Sequence, residues 1–345
     1  VGRKLTYQSA GVNIGNADAT KKEMTGSMVI EDKRVLNRPG AFASLFVADF
    51  PGIANPVLVL KAEEPGSKQQ LAFEYGKIDH ICSDLVNHLV NDIVVMGAKP
   101  EVVLDIILCG AIEKEVVLDI VKYLALACRE QGCSLIGGET SEQPSVLPRG
   151  TYMLNASILG VVDRGHIIDG SKIKAGDVVL ALASNGLHTN GYSMVRKLIE
   201  EAAEILEEQI DGENFMDVIL RPHLCYYHPL KDVVQLPELH GLAHITGGGI
   251  EGNLNRILPN GLDALIDLST FEIPAIFATI QSIGNIDHSE MLKIFNMGVG
   301  MALVSDPSAV PQIREHLTRR GCPSFPIGRI VQGDQQVRFQ GKLPL

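Results

Sequence analysis

Ser184-Asn185-Gly186-Leu187-His188-Thr189-Asn190-Gly191-Tyr192-Ser193 is the stretch on which the reading of this chain turns. It follows an apolar, strand-like run, Val178–Ala183, and leads into a segment of helical character that reaches Ile210. Two glycines let the backbone turn tightly and approach a ligand closely. The helix that follows opens with unpaired N–H groups and the positive end of its dipole, which suits an anion such as phosphate. A histidine and an asparagine lie in the same loop. The plain alternative is an ordinary strand–turn–helix connection with a Ser or Asn cap, because short glycine motifs recur by chance. The rest of the chain decides between them.

The chain has 345 residues, enough for two domains. Hydrophobic residues make up 46% and charged residues 21%, which describes a globular protein. The net charge of −11 and the absence of tryptophan argue against a nucleic-acid binder, which would need a basic face and stacking rings. A local anion site survives that argument, since backbone amides and one or two lysines suffice for it. No apolar run is long enough to span a membrane, and Asp105 interrupts the most apolar stretch, Val102–Cys109. The first residues lack the charged-then-apolar pattern of a secretion signal. Cys82, Cys109, Cys128, Cys133, Cys225 and Cys322 form no C-x-x-C pair, so we expect free thiols in a reducing, cytoplasmic setting and no zinc site.

Along the chain, residues 1–50 read as an arm punctuated by Gly11, Gly15 and Gly40, then short helix and strand. Pro56–Leu60 reads as a strand running into a turn-rich loop, Lys61–Lys68. Apolar residues at Ile78, Ile81, Leu85, Leu89 and Ile93 predict a helix over 78–96, stopped by Gly97. Strand 101–108, helix 115–131, strand 133–136 with a turn at Gly137-Gly138-Glu139-Thr140, and strand 151–162 complete an α+β first half, with helices on one sheet face. Turn chemistry at Asp163–Gly176 places the domain boundary there, giving domains 1–165 and 166–345. The second half predicts strand 177–183, helix 192–210, helical segments 230–236, 250–258, 273–283 and 309–320, and strands 298–304, 326–331 and 336–339.

Four constellations compete to carry chemistry. Asp84, His88 and Asp92 share one side of the 78–96 helix, with Asn87 and Asn91 beside them and no lysine or arginine on that helix face to pair with. Such carboxylates could hold a hard cation such as Mg²⁺, or form a solvated face. Glu139, after Gly137-Gly138 at a strand end, is placed for a metal or a ribose hydroxyl, or stands exposed in a tight turn. Thr246-Gly247-Gly248-Gly249 could cradle an oxyanion with its amides, or mark a close chain crossing. Lys68, after Gly66-Ser67, lacks Walker A spacing and reads as a phosphate contact or an exposed lysine.

Six segments in register then resemble one family, the aminoimidazole ribonucleotide (AIR) synthetases, or phosphoribosylformylglycinamidine cyclo-ligases. They are Val90–Pro100, Gly132–Thr140, Ile167–Lys172, His188–Lys197, Ala243–Gly249 and Phe295–Met301, within a match running from about Tyr7 to Val331. The resemblance implies a two-domain α+β fold, an N-terminal sheet that forms a barrel-like core with a second copy, and a C-terminal α/β sandwich. It implies Mg-ATP, a small ribonucleotide substrate and a homodimer. It places Asp92 and Glu139 near nucleotide and metal, with Asp84 as a further acidic position on the same helix. His188 and Asn190 fall beside the reacting centre, where a histidine can position groups or shuttle a proton. Lys68, with Gly66 and Ser67, matches the family's phosphate loop. Asn91, Gly137 and Gly138 lie with the nucleotide contacts, and Gly247, Gly248 and Gly249 form a second anion-friendly turn.

The chain departs from that pattern where phosphate would be touched. The family's Asp-Gly-Val-Gly-Thr-Lys stands here as Glu63-Glu64-Pro65-Gly66-Ser67-Lys68, adding a charge and removing an N–H, while Glu63 keeps a carboxylate for a cation. Pro-Thr-Arg-Ile-Tyr stands as Pro222-His223-Leu224-Cys225-Tyr226, without the arginine that best grips phosphate. Met-Pro-Gly after the Glu-Thr stands as Gln143-Pro144-Ser145, and the phenylalanine turn is reduced to Gly40-Ala41-Phe42-Ala43. Two other readings therefore stay open: a paralogue that phosphorylates a different amide, carboxylate or other small molecule, and a nucleotide-binding dimer without turnover.

Overall fold

Helix punctuation by glycine, read from the sequence, is realised in a computed structural model that describes residues 15, 19–20, 23–24, 26, 30–37 and 41–345. The expected N-terminal arm, with Gly11, and Gly40 of the phenylalanine turn lie outside the described residues. Contacts divide the chain into two compact units, Val1–Val90 with Pro100–Val161 and Asn91–Lys99 with Val162–Leu345.

The first unit runs β1 (Pro56–Glu63), α1 (Lys68–Glu74), α2 (Ile78–Val94), β2 (Lys99–Cys109), α3 (Lys114–Glu130), β3 (Ser134–Glu142) and β4 (Tyr152–Asp163). The strands form an open sheet of order β1-β4-β2-β3, with β2 and β3 parallel. α2 buries Ile81, Leu85 and Leu89, and α3 buries Val117, Ile120 and Leu124, all without exposure. Each such side chain contributes about 1.5–3 kcal/mol. Both helices end alike. At Gly97 (φ 80°) the Gly97 N–H bonds Val94 O and the Ala98 N–H bonds Ile93 O. At Gly132 (φ 73°) the Gly132 N–H bonds Arg129 O and the Cys133 N–H bonds Cys128 O. This paired pattern needs a left-handed residue at the turn, hence glycine.

The sheet's other face presents Leu58, Leu60, Leu104 and Ile106 to solvent, Leu60 at 73%. Gly137-Gly138-Glu139-Thr140 corrects the sequence reading. It is the middle of β3 rather than a turn, paired with Leu104–Ile107 of β2. α1 is a helix where only a loop ending at Lys68 was expected.

The second unit runs β5 (Val178–Ala183), α4 (Tyr192–Glu201), a two-residue ribbon β6 (Gln209–Ile210) and β7 (Glu213–Asn214), α5 (Phe215–Ile219), α6 (Tyr227–Leu230), β8 (Leu239–His244), α7 (Gly249–Leu254), β9 (Leu262–Asp267), α8 (Ala275–Gly284), α9 (His288–Ile294), β10 (Val299–Ser305), α10 (Val310–Arg319), β11 (Ser324–Gln332) and β12 (Val337–Gln340). Six strands form one sheet of order β12-β9-β11-β5-β10-β8, antiparallel apart from the β12–β9 pair. Leu180 and Leu182 of β5, Met301 and Leu303 of β10, Leu242 of β8, and Ile313 and Leu317 of α10 share its core.

The expected helix 192–210 is shorter. It stops at Glu201, where Ala202 turns to φ −137°, and a 3₁₀ turn, Ala203–Glu207, leads into β6. The expected helices 230–236 and 250–258 likewise divide into a short α turn and a 3₁₀ turn. All six cysteines are free thiols, and five are buried. The α+β, two-unit class read from the sequence stands.

Candidate active site

In the second unit, the loop after β5 is fixed from both sides. The Ser184 N–H donates to Gly298 O at 2.9 Å, Asn296 Nδ2 to Gly186 O at 2.8 Å, and Asn185 Nδ2 to Pro222 O at 2.9 Å. Gly191 begins α4 at φ 80°, and a Cβ there would lie 2.1 Å from Phe295 Cε1. His188 holds φ 59°, a left-handed conformation that costs a side-chain-bearing residue about 1–3 kcal/mol and persists only where the surroundings impose it. The surroundings here are explicit. The His188 ring stacks on His223 with centroids 4.0 Å apart. It lies over Gly300, where a Cβ would sit 2.8 Å from His188 Cε1 and 1.9 Å from the Tyr226 hydroxyl.

Asn190 and the triglycine turn come together. A Cβ on Gly247 would lie 3.4 Å from Asn190 Oδ1, and the buried Asn190 Nδ2 has no hydrogen-bond partner among the described residues. Gly248 and Gly249 take φ 92° and 61°. Asn253 Nδ2 donates to Thr246 O, Gly247 O and Gly249 O at 3.2, 3.1 and 2.8 Å.

Asp92 faces His244 at the end of β8. His244 Nδ1 lies 2.7 Å from Asp92 Oδ1, and a carboxylate accepts, so the ring nitrogen donates. His244 Nε2 is 3.0 Å from His223 Nε2. Asn91 uses both ends of its amide on backbone. Its Nδ2 donates to Leu224 O and its Oδ1 accepts from the Tyr226 N–H, each at 2.8 Å. That bracket shapes the 222–226 segment that carries His223.

In the first unit, Lys68 corrects the expectation of an exposed side chain or a lysine-free acidic face. It is fully buried, with Nζ 3.0 and 2.8 Å from the two carboxylate oxygens of Asp84, also fully buried. Burial pulls the Lys68 pKa below its ordinary value, and Asp84 partly offsets this. Glu63 lies 3.0 Å from Lys61 Nζ and 3.7 Å from His88 Nε2. Gly66 (φ 62°) and Ser67 turn the chain into α1 without a side-chain cap, and Ser67 lines a 560 Å³ cavity with Phe73 and Tyr152.

Gly137, Gly138 and Glu139 line another cavity of 640 Å³ on the exposed sheet face, with Leu60, Leu104 and Phe42. Of the four acidic candidates Asp84, Asp92, Glu63 and Glu139, only Glu139 meets neither a side-chain cation nor a histidine among the described residues; its Oε1 accepts the Thr140 N–H at 3.0 Å. Gly138 is glycine for a reason visible in the register. It faces Asp105, whose Oδ1 would lie 1.9 Å from a Cβ. Asp105 is nearly fully buried, and desolvation, reinforced by Glu139, raises its pKa to about 7.

Three residues that matter here escaped the sequence reading as site residues: Asp105, His223 and His244. Asp105 had a signal, a charge inside an apolar strand pattern opposite a glycine pair. The two histidines lie 21 residues apart, and no local period links them.

Residues 55–162 match the family described as AIR synthase related protein, N-terminal domain, and residues 174–340 match AIR synthase related protein, C-terminal domain. The chain belongs to the AIR synthase family. Within it, the chain is 40% identical over 327 residues to a phosphoribosylformylglycinamidine cyclo-ligase of Methylobacillus flagellatus, covering 94% of each chain. It is 39% identical over 338 residues to one of Alkaliphilus metalliredigens, covering 97% of each. The fold is shared with the hydrogenase maturation protein HypE solved in complex with ATP, with a TM-score of 0.64 and 16% identity over 90% of this chain and 87% of that one.

Proposed function

We propose that this member of the AIR synthase family is an ATP-dependent cyclo-ligase of purine biosynthesis. It converts formylglycinamidine ribonucleotide to aminoimidazole ribonucleotide with release of ADP and phosphate. The observation that carries the reading is end-to-end identity of about 40% with family members named for that activity. An amide oxygen is a poor leaving group. Phosphoryl transfer from ATP to that oxygen forms a P–O bond, breaks the β–γ bridge and releases ADP. The neighbouring nitrogen then attacks the activated carbon, the C–O bond breaks with loss of phosphate, and the nitrogen sheds a proton. The protein has to orient groups and neutralise charge.

We assign His188 and Asn190 to the reacting centre and the amides of Gly247 and Gly248 to an anionic group of the ribonucleotide. The strained His188 backbone, the spare Asn190 donor and the preset glycine turn support this. For the nucleotide we propose the Gly66-Ser67 turn and the Gly137-Gly138-Glu139 edge. Glu139 would hold Mg²⁺ together with the nucleotide's phosphates, because Mg²⁺ takes one or two carboxylates plus phosphate oxygens. That ion would supply charge neutralisation on the transferred phosphoryl group.

We further propose a homodimer that covers Leu58, Leu60, Leu104 and Ile106, an aliphatic face too exposed to suit a free surface. Among the described residues no helix is long and apolar enough to cross a membrane. We propose a cytoplasmic location from the kinship with purine-biosynthesis cyclo-ligases.

One observation favours a second reading, a paralogue acting on another small molecule. The Glu63–Lys68 loop carries Glu64 and Pro65 and ends on a lysine sunk in an ion pair. Incubation of the purified protein with ATP, Mg²⁺ and formylglycinamidine ribonucleotide separates the two. ADP with stoichiometric imidazole product supports the cyclo-ligase. ADP formed only with a different amide or carboxylate refutes it in favour of the paralogue.

A further inference from the structure

Both glycine turns of the candidate site rest on one segment, residues 292–298, which joins α9 to β10. A Cβ on Gly191, at the far end of the 184–191 loop, would lie 2.1 Å from Phe295 Cε1. A Cβ on Gly249, in the triglycine turn, would lie 1.9 Å from Leu292 O and 3.3 Å from Phe295 O. The near end of the loop meets Asn296, which is fully buried. Asn296 Nδ2 donates to Gly186 O at 2.8 Å. Its Oδ1 accepts from the Ser184 hydroxyl at 3.0 Å and from the Gly298 N–H at 2.9 Å. The same hydroxyl lies 3.0 Å from Gly186 O and can serve either acceptor. Both ends of the Asn296 amide are thus engaged, and the loop is gripped before and after His188.

Asn296 is itself held rigid. The Val299 N–H donates to Asn296 O at 2.9 Å, with Met297 at φ 50° and Gly298 at φ 89° between them. Two left-handed central residues make this a type I′ turn. Met297 carries a side chain there, a conformation that persists only where the surroundings impose it. The bond from the Gly298 N–H to Asn296 Oδ1 closes an Asx turn inside the first. Room at the corner is scarce, since a Cβ on Gly298 would lie 2.5 Å from Glu272 O. A fixed turn gives Asn296 Nδ2 a fixed direction. Through Gly186 that direction sets the path of the backbone into His188, which is also left-handed at φ 59°.

We propose that Asn296 is a positioning residue for the reacting centre. It fixes the path of the 184–191 loop and thereby the placing of His188 and Asn190. This rests on the cyclo-ligase reading, which assigns those two residues to the chemistry. In this role Asn296 touches no substrate; it acts through Gly186 and Ser184. The position asks for an uncharged side chain with both a donor and an acceptor at this reach. Aspartate loses the donor, serine spans to one partner only, and glutamine adds a methylene to a fully buried site.

Asn296→Ala tests this, with kcat taken per folded molecule. We expect kcat to fall about 100-fold, the loss that a misplacement of about 1 Å produces, with KM for ATP held within about twofold. A readout without turnover comes from the sequence, in which the dipeptide His-Thr occurs once, at His188-Thr189. Labelling the histidine carbonyls with ¹³C and the threonine amides with ¹⁵N therefore isolates one amide signal. It should shift or broaden in Asn296→Ala. Asn296→Ser, which can keep one partner, should fall between wild type and Asn296→Ala in both readouts. Where Asn296→Ala does not fold, Asn296→Ser is compared with wild type by the same two criteria. A folded variant with wild-type kcat overturns the proposal, and so does a lost kcat with an unmoved His188–Thr189 signal. Absence of imidazole product from the wild type overturns the cyclo-ligase reading instead, and the labelled amide then still decides whether Asn296 sets the loop.

Discussion

Replacing Asp105 by Asn should change how stability depends on pH, with a sign and a window that follow from burial. Asp105 lies on the helix-facing side of β2, with little exposure, and its pKa is raised from 3.8 to about 7, mainly by desolvation. The unfolded chain ionises it near 4 and the folded chain only near 7. Between those values the native state binds the extra proton, so stability falls as pH rises. The gap of about 3 units at 1.36 kcal/mol each amounts to about 4 kcal/mol, lost progressively from about pH 4 and fully lost above about pH 7. Asn carries no charge at any of these pH values and escapes the loss. The measurement is urea unfolding of wild type and Asp105→Asn from pH 4.5 to 8.5. The difference between the two curves removes every other titrating group they share. We expect the variant to gain on wild type by about 1 kcal/mol per pH unit up to pH 7, then to run parallel. A difference curve flat across that range would show that the carboxylate is ionised and solvated in the folded protein, and the account of Gly138 as its close neighbour would fall with it.

Three further outcomes follow from contacts described above. Lys68→Met strands the buried Asp84 charge and should cost about 3–5 kcal/mol in unfolding free energy, whereas Lys68→Met/Asp84→Leu should recover most of it; a double variant as unstable as the single denies that the pair is a buried charge couple. Gly300→Ala pushes a methyl toward the Tyr226 hydroxyl, which donates to Ala183 O at 2.8 Å, and toward His188; we expect about 2–4 kcal/mol of destabilisation by calorimetry or denaturant, with wild-type stability as the refuting result. Leu60→Glu should yield monomers by light scattering if the exposed aliphatic face is the dimer contact, and an unchanged mass would move the contact elsewhere.

Much of the fold was legible because it rests on local rules. The helix at 78–94 follows from Ile81, Leu85 and Leu89 recurring on one side, and its end from Gly97. The errors arise where tertiary partners override local preference. Residues 202–210 have helical composition, yet the Phe215 N–H bonds Glu208 O and the chain turns into β6. Gly137-Gly138 has turn composition, yet the parallel pairing with β2 draws it straight, and the missing side chain makes room for Asp105. In the candidate site, the glycine-rich turns at 184–191 and 246–249 were legible as turns, and the structure brings Asn190 of the first against Gly247 of the second. The fates of the acidic residues were not. Asp84 found Lys68, 16 residues earlier, and Asp92 found His244, 152 residues later. Only folding brings such pairs together.

Asn253 has a consequence for the turn proposed above to meet an anionic group. Its single amide gathers the carbonyls of Thr246, Gly247 and Gly249. In a trans peptide unit the N–H points opposite to the C=O, so pulling the Thr246 and Gly247 oxygens one way turns the Gly247 and Gly248 hydrogens the other. Three consecutive glycines would otherwise sample many shapes and lose that freedom on capture of a ligand. Here the loss is incurred once, during folding, and the donors stand ready before any ligand arrives. Asn253 thereby fixes the shape of a turn whose three glycines have no side chains with which to fix it.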